Sequence, residues 1–168
     1  MRLSKRAFAT GMIILCVLID TAVIPFEVAN PVYFPKFTLL TIITIALLMG
    51  RTQGILYGLV GGVLMDISIL IPVGLTSVLY TVTGFLAGYI GRKMRIRILS
   101  SIVAPIVSMM VYEIAMTIYY VSQGGIFEWM MIFEGFVRSV IGCAFIQIMY
   151  IAFKAVFKPK YSRYEKRR

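Results

Sequence analysis

The 168-residue sequence contains no histidine. That absence removes the commonest general base and the commonest metal ligand together, so Ser–His hydrolysis and His-bound zinc are excluded. Cysteine is scarce too: Cys16 and Cys143 both lie inside apolar runs, without the basic neighbours that activate a thiol. Packing is their expected role. Asp and Glu number seven against seventeen Lys and Arg, a net charge of +10. Asp20 and Asp66 do not stand in the paired motifs of an intramembrane aspartic protease. The glycines around Gly61 lie in a hydrophobic run with no lysine after them, so they make no phosphate-binding loop. Catalysis, a bound metal and a cofactor are all unexpected in such a chain. The eleven methionines, with no imidazole or thiolate cluster beside them, fit soft packing.

What the sequence has is apolar length. Hydrophobic residues make up 60% of it and charged residues 14%, with a mean hydropathy of +0.92. A soluble domain of this size carries far more polar surface, so the bilayer is the expected solvent. The fold class expected is therefore an all-α polytopic membrane protein. Six apolar runs approach the ~17–25 residues needed to span hydrocarbon, at about residues 7–24, 37–49, 53–71, 74–90, 96–121 and 131–153. Pro25 is expected to stop the first and Pro72 to close the third. The run at 37–49 is short unless residues from 33 onward extend it. The basic start, MRLSKR, imitates a signal peptide, but no convincing small-x-small cleavage site follows, and the run reads as an uncleaved first span.

In a soluble chain a charge of +10 would raise the question of nucleic acid. Here the bases lie between and after the apolar runs. Arg2, Lys5 and Arg6 precede the first, Arg51 follows the second, Arg92, Lys93, Arg95 and Arg97 follow the fourth, and Lys154 onward follow the sixth. Six crossings put all of them on one side, leaving Lys36 opposite, so both termini are expected in the cytoplasm and no nucleic acid is implied. Residues 1–157 then form one six-helix transmembrane domain and 158–168 a basic cytoplasmic tail. Lys158, Lys160, Arg163, Lys166, Arg167 and Arg168 can lie on anionic lipid headgroups or simply anchor the topology.

Two stripes of small residues stand out. Gly54, Gly58 and Gly62 recur in steps of four, and the next step lands on Asp66. Gly74, Ser77, Thr81, Gly84, Gly88 and Gly91 follow alternating steps of three and four. Such ridges let helix backbones approach closely. They fit a tight antiparallel pair of the third and fourth helices, or docking of a helix from another protein.

Asp20, Asp66, Glu113 and Arg138 interrupt the apolar runs. The three carboxylates lie about 18–22 Å along their helices from the basic ends, and Arg138 comes out at a similar height. Asp20 is close enough to its helix end to tilt into the interface. Facing lipid would cost several kcal/mol, so the group should face inward. A structural clamp, a substrate or partner site opening outward, and a proton or ion pathway all fit this level. Arg138 is the natural partner of a carboxylate, and an Asp66–Arg138 pair is one expectation. Tyr112, Tyr119 and Tyr120 read as interfacial anchors or hydrogen-bond donors. The loop SQGGIFEWMM, with Trp129, could form a small lid.

The segment 50–91, GRTQGILYGLVGGVLMDISILIPVGLTSVLYTVTGFLAGYIG, resembles the core of the rod shape-determining protein MreD family. The resemblance rests on Gly54, Gly58, Gly62, Asp66, Gly74, Leu75, Tyr80, Gly84 and Gly88; the apolar turn at 69–73 departs from it. It implies a non-catalytic subunit of the bacterial inner membrane, within the cell-elongation machinery that builds peptidoglycan. It further implies the bitopic protein MreC as partner and, with it, the polymerase RodA, a class B penicillin-binding protein and the actin-like MreB. The family is also similar in fold to the S components of energy-coupling-factor vitamin transporters. Vitamin binding in an outward pocket is therefore the alternative function. A vitamin binder needs a cavity and polar closing loops; a scaffold needs neither, and the outer loops here are short and apolar.

Overall fold

The computed structural model describes residues 2–29, 36–69, 74–94 and 97–156. Among them the chain forms six α-helices: α1 (Arg2–Ala29), α2 (Phe37–Met49), α3 (Arg51–Ile69), α4 (Leu75–Lys93), α5 (Arg97–Ser122) and α6 (Trp129–Val156). Each expected run becomes a helix. The first differs at its end, because Pro25 does not stop it and α1 continues to Ala29. A proline removes one intrahelical bond, a loss that membrane helices tolerate where neighbours or side chains satisfy the freed carbonyl. The turn around Pro72 and the tail from residue 157 onward lie outside the described residues.

Pro105, inside α5, shows that compensation directly. Its missing N–H would have bonded the carbonyl of Ser101, four residues earlier. Gln147 of α6 donates from Nε2 to that carbonyl at 2.7 Å instead. The kink-prone position thereby becomes a bond between two helices.

The shortest helix sits at the centre. α2 is buried at every residue from Thr38 to Ala46 and touches each of the other five helices. A helix apolar on all sides requires such surroundings. Thr41 and Thr44 fit there because they donate to the carbonyls of Phe37 and Leu40 in their own helix. Cys16 packs on Thr41, Sγ to Oγ1 3.0 Å, and both cysteines are free and buried, in keeping with a packing role.

The outside of the bundle is the reverse of a soluble protein's surface. Asp20, Asp66, Ser77 and Ser139 are buried and hydrogen-bonded, while Leu18, Leu59, Ile67, Val78 and Ile148 are exposed. Apolar residues outside and satisfied polar groups inside are what hydrocarbon demands of a protein it solvates. Two segments are long and apolar enough to cross a membrane by length and composition, Ser100–Ser122 at a mean hydropathy of 1.7 and Trp129–Ile151 at 1.5. Helices α3 and α4 are less apolar, because of Arg51, Gln53, Asp66, Arg92 and Lys93 and also because of the glycines and the serine of their two stripes. The stripes face one another, however, and the outer faces carry Leu56, Val63, Val82 and Phe85.

Candidate functional site

The glycine stripes meet each other. A Cβ placed on Gly54 would strike the carbonyl of Gly84, and one on Gly84 would strike that of Gly54. At Gly58 it would lie 2.5 Å from the Tyr80 oxygen and 2.9 Å from Thr81 Cα. At Gly62 it would strike Ser77 Cα, and at Gly88 it would lie 2.5 Å from Arg51 Cα. As α3 ascends, its partners on α4 descend, so the pair is antiparallel and in backbone contact along its length. This closeness is open only to residues without side chains. Gly61, on the adjoining face, admits Ile42, Thr38 and Ile13 from α2 and α1. Gly74 precedes α4 with φ 113°, and Thr81 donates its hydroxyl to the Ser77 carbonyl.

Asp66 stands where this interface ends. It is 1% exposed. Its Oδ2 accepts from the backbone N–H of Gly74 at 2.9 Å, the N–H of Ser77 at 3.1 Å and the Ser77 hydroxyl at 2.7 Å. Its Oδ1 accepts from the N–H of Thr76 at 3.1 Å. These are the orphan donors of the first turn of α4, whose own N-cap residue, Gly74, has no side chain to offer. Asp66 is therefore the cap of α4, supplied from the neighbouring helix. A carboxylate is stable there because charge-assisted bonds and the positive end of the helix replace the water it gave up.

Asp20 does the same for α2. Its two oxygens accept from the N–H groups of Phe37 at 2.9 Å and Thr38 at 2.8 Å, while the N-cap residue Lys36 makes no cap of its own. Asp20 is buried rather than tilted into the interface, because those donors hold it inward.

Arg138 does not pair with Asp66, whose acceptors are occupied by α4. Arg138 Nη1 instead bonds Glu113 across α5 and α6, at 3.2 and 3.4 Å to its two oxygens. Gly135, one turn earlier, makes room for the Glu113 stem, since a Cβ there would lie 3.0 Å from Glu113 Cβ. Replacing either ion with glutamine should destabilise the chain by about 3 kcal/mol, and replacing both should recover part of the loss. A double-mutant cycle on thermal unfolding in detergent reads this coupling. The same cycle on Asp66 and Arg138 should give coupling near zero; a large value there would contradict the assignment.

The four expected charges thus form three devices rather than one cluster. All three join an odd-numbered helix to the even-numbered helix that follows it. Lys36 adds a link that the sequence reading passed over. Its Nζ donates to the Tyr112 hydroxyl at 2.8 Å and lies 4.8 Å from that ring's centroid. Tyr112 is buried against Tyr80, so it is a core acceptor and not an interfacial anchor. Tyr120 covers Gly125 at the end of α5. Trp129 is 79% exposed, with its ring edge-on to that of Phe127.

A third small-residue ridge also escaped the sequence reading. Gly135, Ser139 and Gly142 on α6 recur at four and three residues, with Ser139 fully buried and Gly142 against Met109. The spacing was there to be read, but two glycines among phenylalanines give a faint signal. Among the described residues no group of three or more Cys, Asp and Glu could hold a metal ion.

Compared with known proteins, the chain matches the model of one family, the rod shape-determining protein MreD, over residues 4–159. No curated protein and no solved structure matches it.

Proposed function

The chain belongs to the rod shape-determining protein MreD family, and on that premise we propose that it is a scaffold of the bacterial cell-elongation complex. In this reading it lies in the cytoplasmic membrane with six crossings and both termini inside. It binds MreC by helix packing and, through MreC, joins RodA, a class B penicillin-binding protein and MreB. The family is one of non-catalytic shape determination. The observation that carries the proposal is the family match itself, which takes in nearly all of the six-helix body.

The geometry supports a scaffold in a specific way. The interhelical caps, the ion pair and the glycine contacts all tie the chain to itself, which makes a rigid body of the bundle. Gly54, Gly58, Gly62, Gly84 and Gly88 are taken up within the α3–α4 pair, so there a partner's helix is left the exposed apolar faces. Rigid presentation of such a face lowers the ordering cost of association.

Affinity capture of the full chain after mild detergent extraction, with mass analysis of proteins and small molecules, tests the proposal. MreC and the peptidoglycan polymerases are expected, with no metabolite in stoichiometric amount. Recovery of an energising transporter subunit or a bound vitamin would overturn it.

A further inference from the structure

Three cations gather where α3 begins and α4 ends. The α3–α4 backbones touch there, at Gly88 and Arg51. One turn beyond Gly88, Arg92 lays its guanidinium over Gly50, where a Cβ would strike Nη2 and lie 2.9 Å from Cζ. Gly50 holds φ 97°, so its place could hardly be filled by another residue. The next residue, Lys93, sets its amine 5.7 Å from the centroid of Tyr89, a ring that is 43% exposed.

No carboxylate balances these charges among the described residues. Asp20 and Asp66 are committed to the opposite ends of their helices and Glu113 to Arg138, while Glu128 and Glu134 stand just before and within the first turns of α6. In the sequence no acidic residue occurs between Asp66 and Glu113, whereas Arg95 and Arg97 add to the basic run. An apolar strip leads directly into the cluster: Val78, Val82, Phe85 and Tyr89 are all exposed, at steps of four, three and four along α4.

We propose that this end of the α3–α4 pair is a binding site for an anionic phospholipid. The headgroup phosphate sits between the Arg92 fork and the Lys93 amine, Arg51 supplies the third charge, and an acyl chain lies along Val82 and Phe85. A guanidinium fork suits phosphate oxygens, and a tyrosine below a lysine suits the depth of the headgroups. The rule that basic loops stay in the cytoplasm accounts for having bases here. It does not require a guanidinium seated on a glycine, or a strip of exposed apolar residues running up to an amine. An acidic protein segment would use the charges but not the strip, which favours a lipid.

The full chain, reconstituted in nanodiscs, would be exposed to trace phosphatidylglycerol or phosphatidylcholine carrying the same photoreactive acyl chain. Labelled peptides would then be mapped. Phosphatidylglycerol should label the 82–89 segment at least about five-fold over phosphatidylcholine, and each base removed should cost a factor of about five. The Arg92→Gln, Lys93→Gln double variant should abolish the preference. Should that variant misfold, the unaltered chain still decides the matter, because the preference should shrink as salt rises. Equal labelling by the two lipids, or a preference indifferent to salt, would overturn the proposal. So would competition by a polyglutamate peptide without lipid preference, which would make the cluster a patch for an acidic protein.

Discussion

Replacing Asp66 with alanine should destabilise the folded chain by about 3 kcal/mol or more, because three backbone N–H groups and a hydroxyl lose their acceptor in an apolar setting. Those donors belong to Gly74, Thr76 and Ser77, at the start of α4. Asp66→Asn should fall between alanine and the native residue. Its amide keeps one accepting oxygen, but it turns an NH₂ toward groups that are themselves donors. Thermal unfolding of the purified chain in detergent reads the effect. A midpoint for Asp66→Ala within roughly 2 °C of the unaltered chain would sink the capping assignment. On the proposed scaffold function, capture of MreC should fall in parallel, since a frayed α4 no longer holds its outer face in place.

The second large effect is expected from Gly58→Leu. The atoms that a Cβ would meet there are the carbonyl oxygen and carbon of Tyr80 and the Cα of Thr81, all of them backbone. No side chain can rotate away, so α4 as a whole must retreat from α3. Overpacking of this kind costs about 1–3 kcal/mol for a methyl, and a leucine should exceed that range. The retreat also pulls the first turn of α4 away from Asp66, so the loss should exceed a local clash. Gly11→Ala provides the comparison: nothing lies within 4 Å of its added Cβ, and it sits inside α1. Alanine there should be neutral or better by up to about 1 kcal/mol, from helix propensity alone. Equal unfolding midpoints for the two variants would show that the α3–α4 contact does not carry the stability assigned to it.

Much of this fold was legible in the sequence, for reasons that can be named. The six helices follow from apolar runs of the right length, because in hydrocarbon a backbone has few ways to satisfy itself other than by coiling. The antiparallel α3–α4 pair follows from two small-residue ridges joined by a short turn, although the alternative of docking a foreign helix remained until the ridges were seen to face one another. The end of α1 was misread at Pro25, since proline's cost depends on what surrounds the freed carbonyl, and that is a property of neighbours.

The buried charges show the same division. From sequence, their cost in lipid determined that Asp20, Asp66, Glu113 and Arg138 must be satisfied inside the bundle. Pairing by charge alone made Arg138 the partner of a carboxylate, with Asp66 as one expectation. The strongest acceptor demand on Asp66 came instead from uncharged groups, the open N–H donors of α4, which no inventory of side chains lists. Glu113 was left for Arg138 because Gly135 opens a notch beside it on α6. Lys36 reached Tyr112 for a comparable reason, since its place just ahead of α2 becomes meaningful only when α5 stands beside that end.

By itself, then, the sequence determined the solvent and the number of helices, and it offered the close pair as one of two readings. Each of these depends on composition or spacing along one chain. Only the tertiary structure decided which donor meets which acceptor. Hydrogen bonds between helices depend on where helices begin and how they lean together, and spacing along a single helix carries neither.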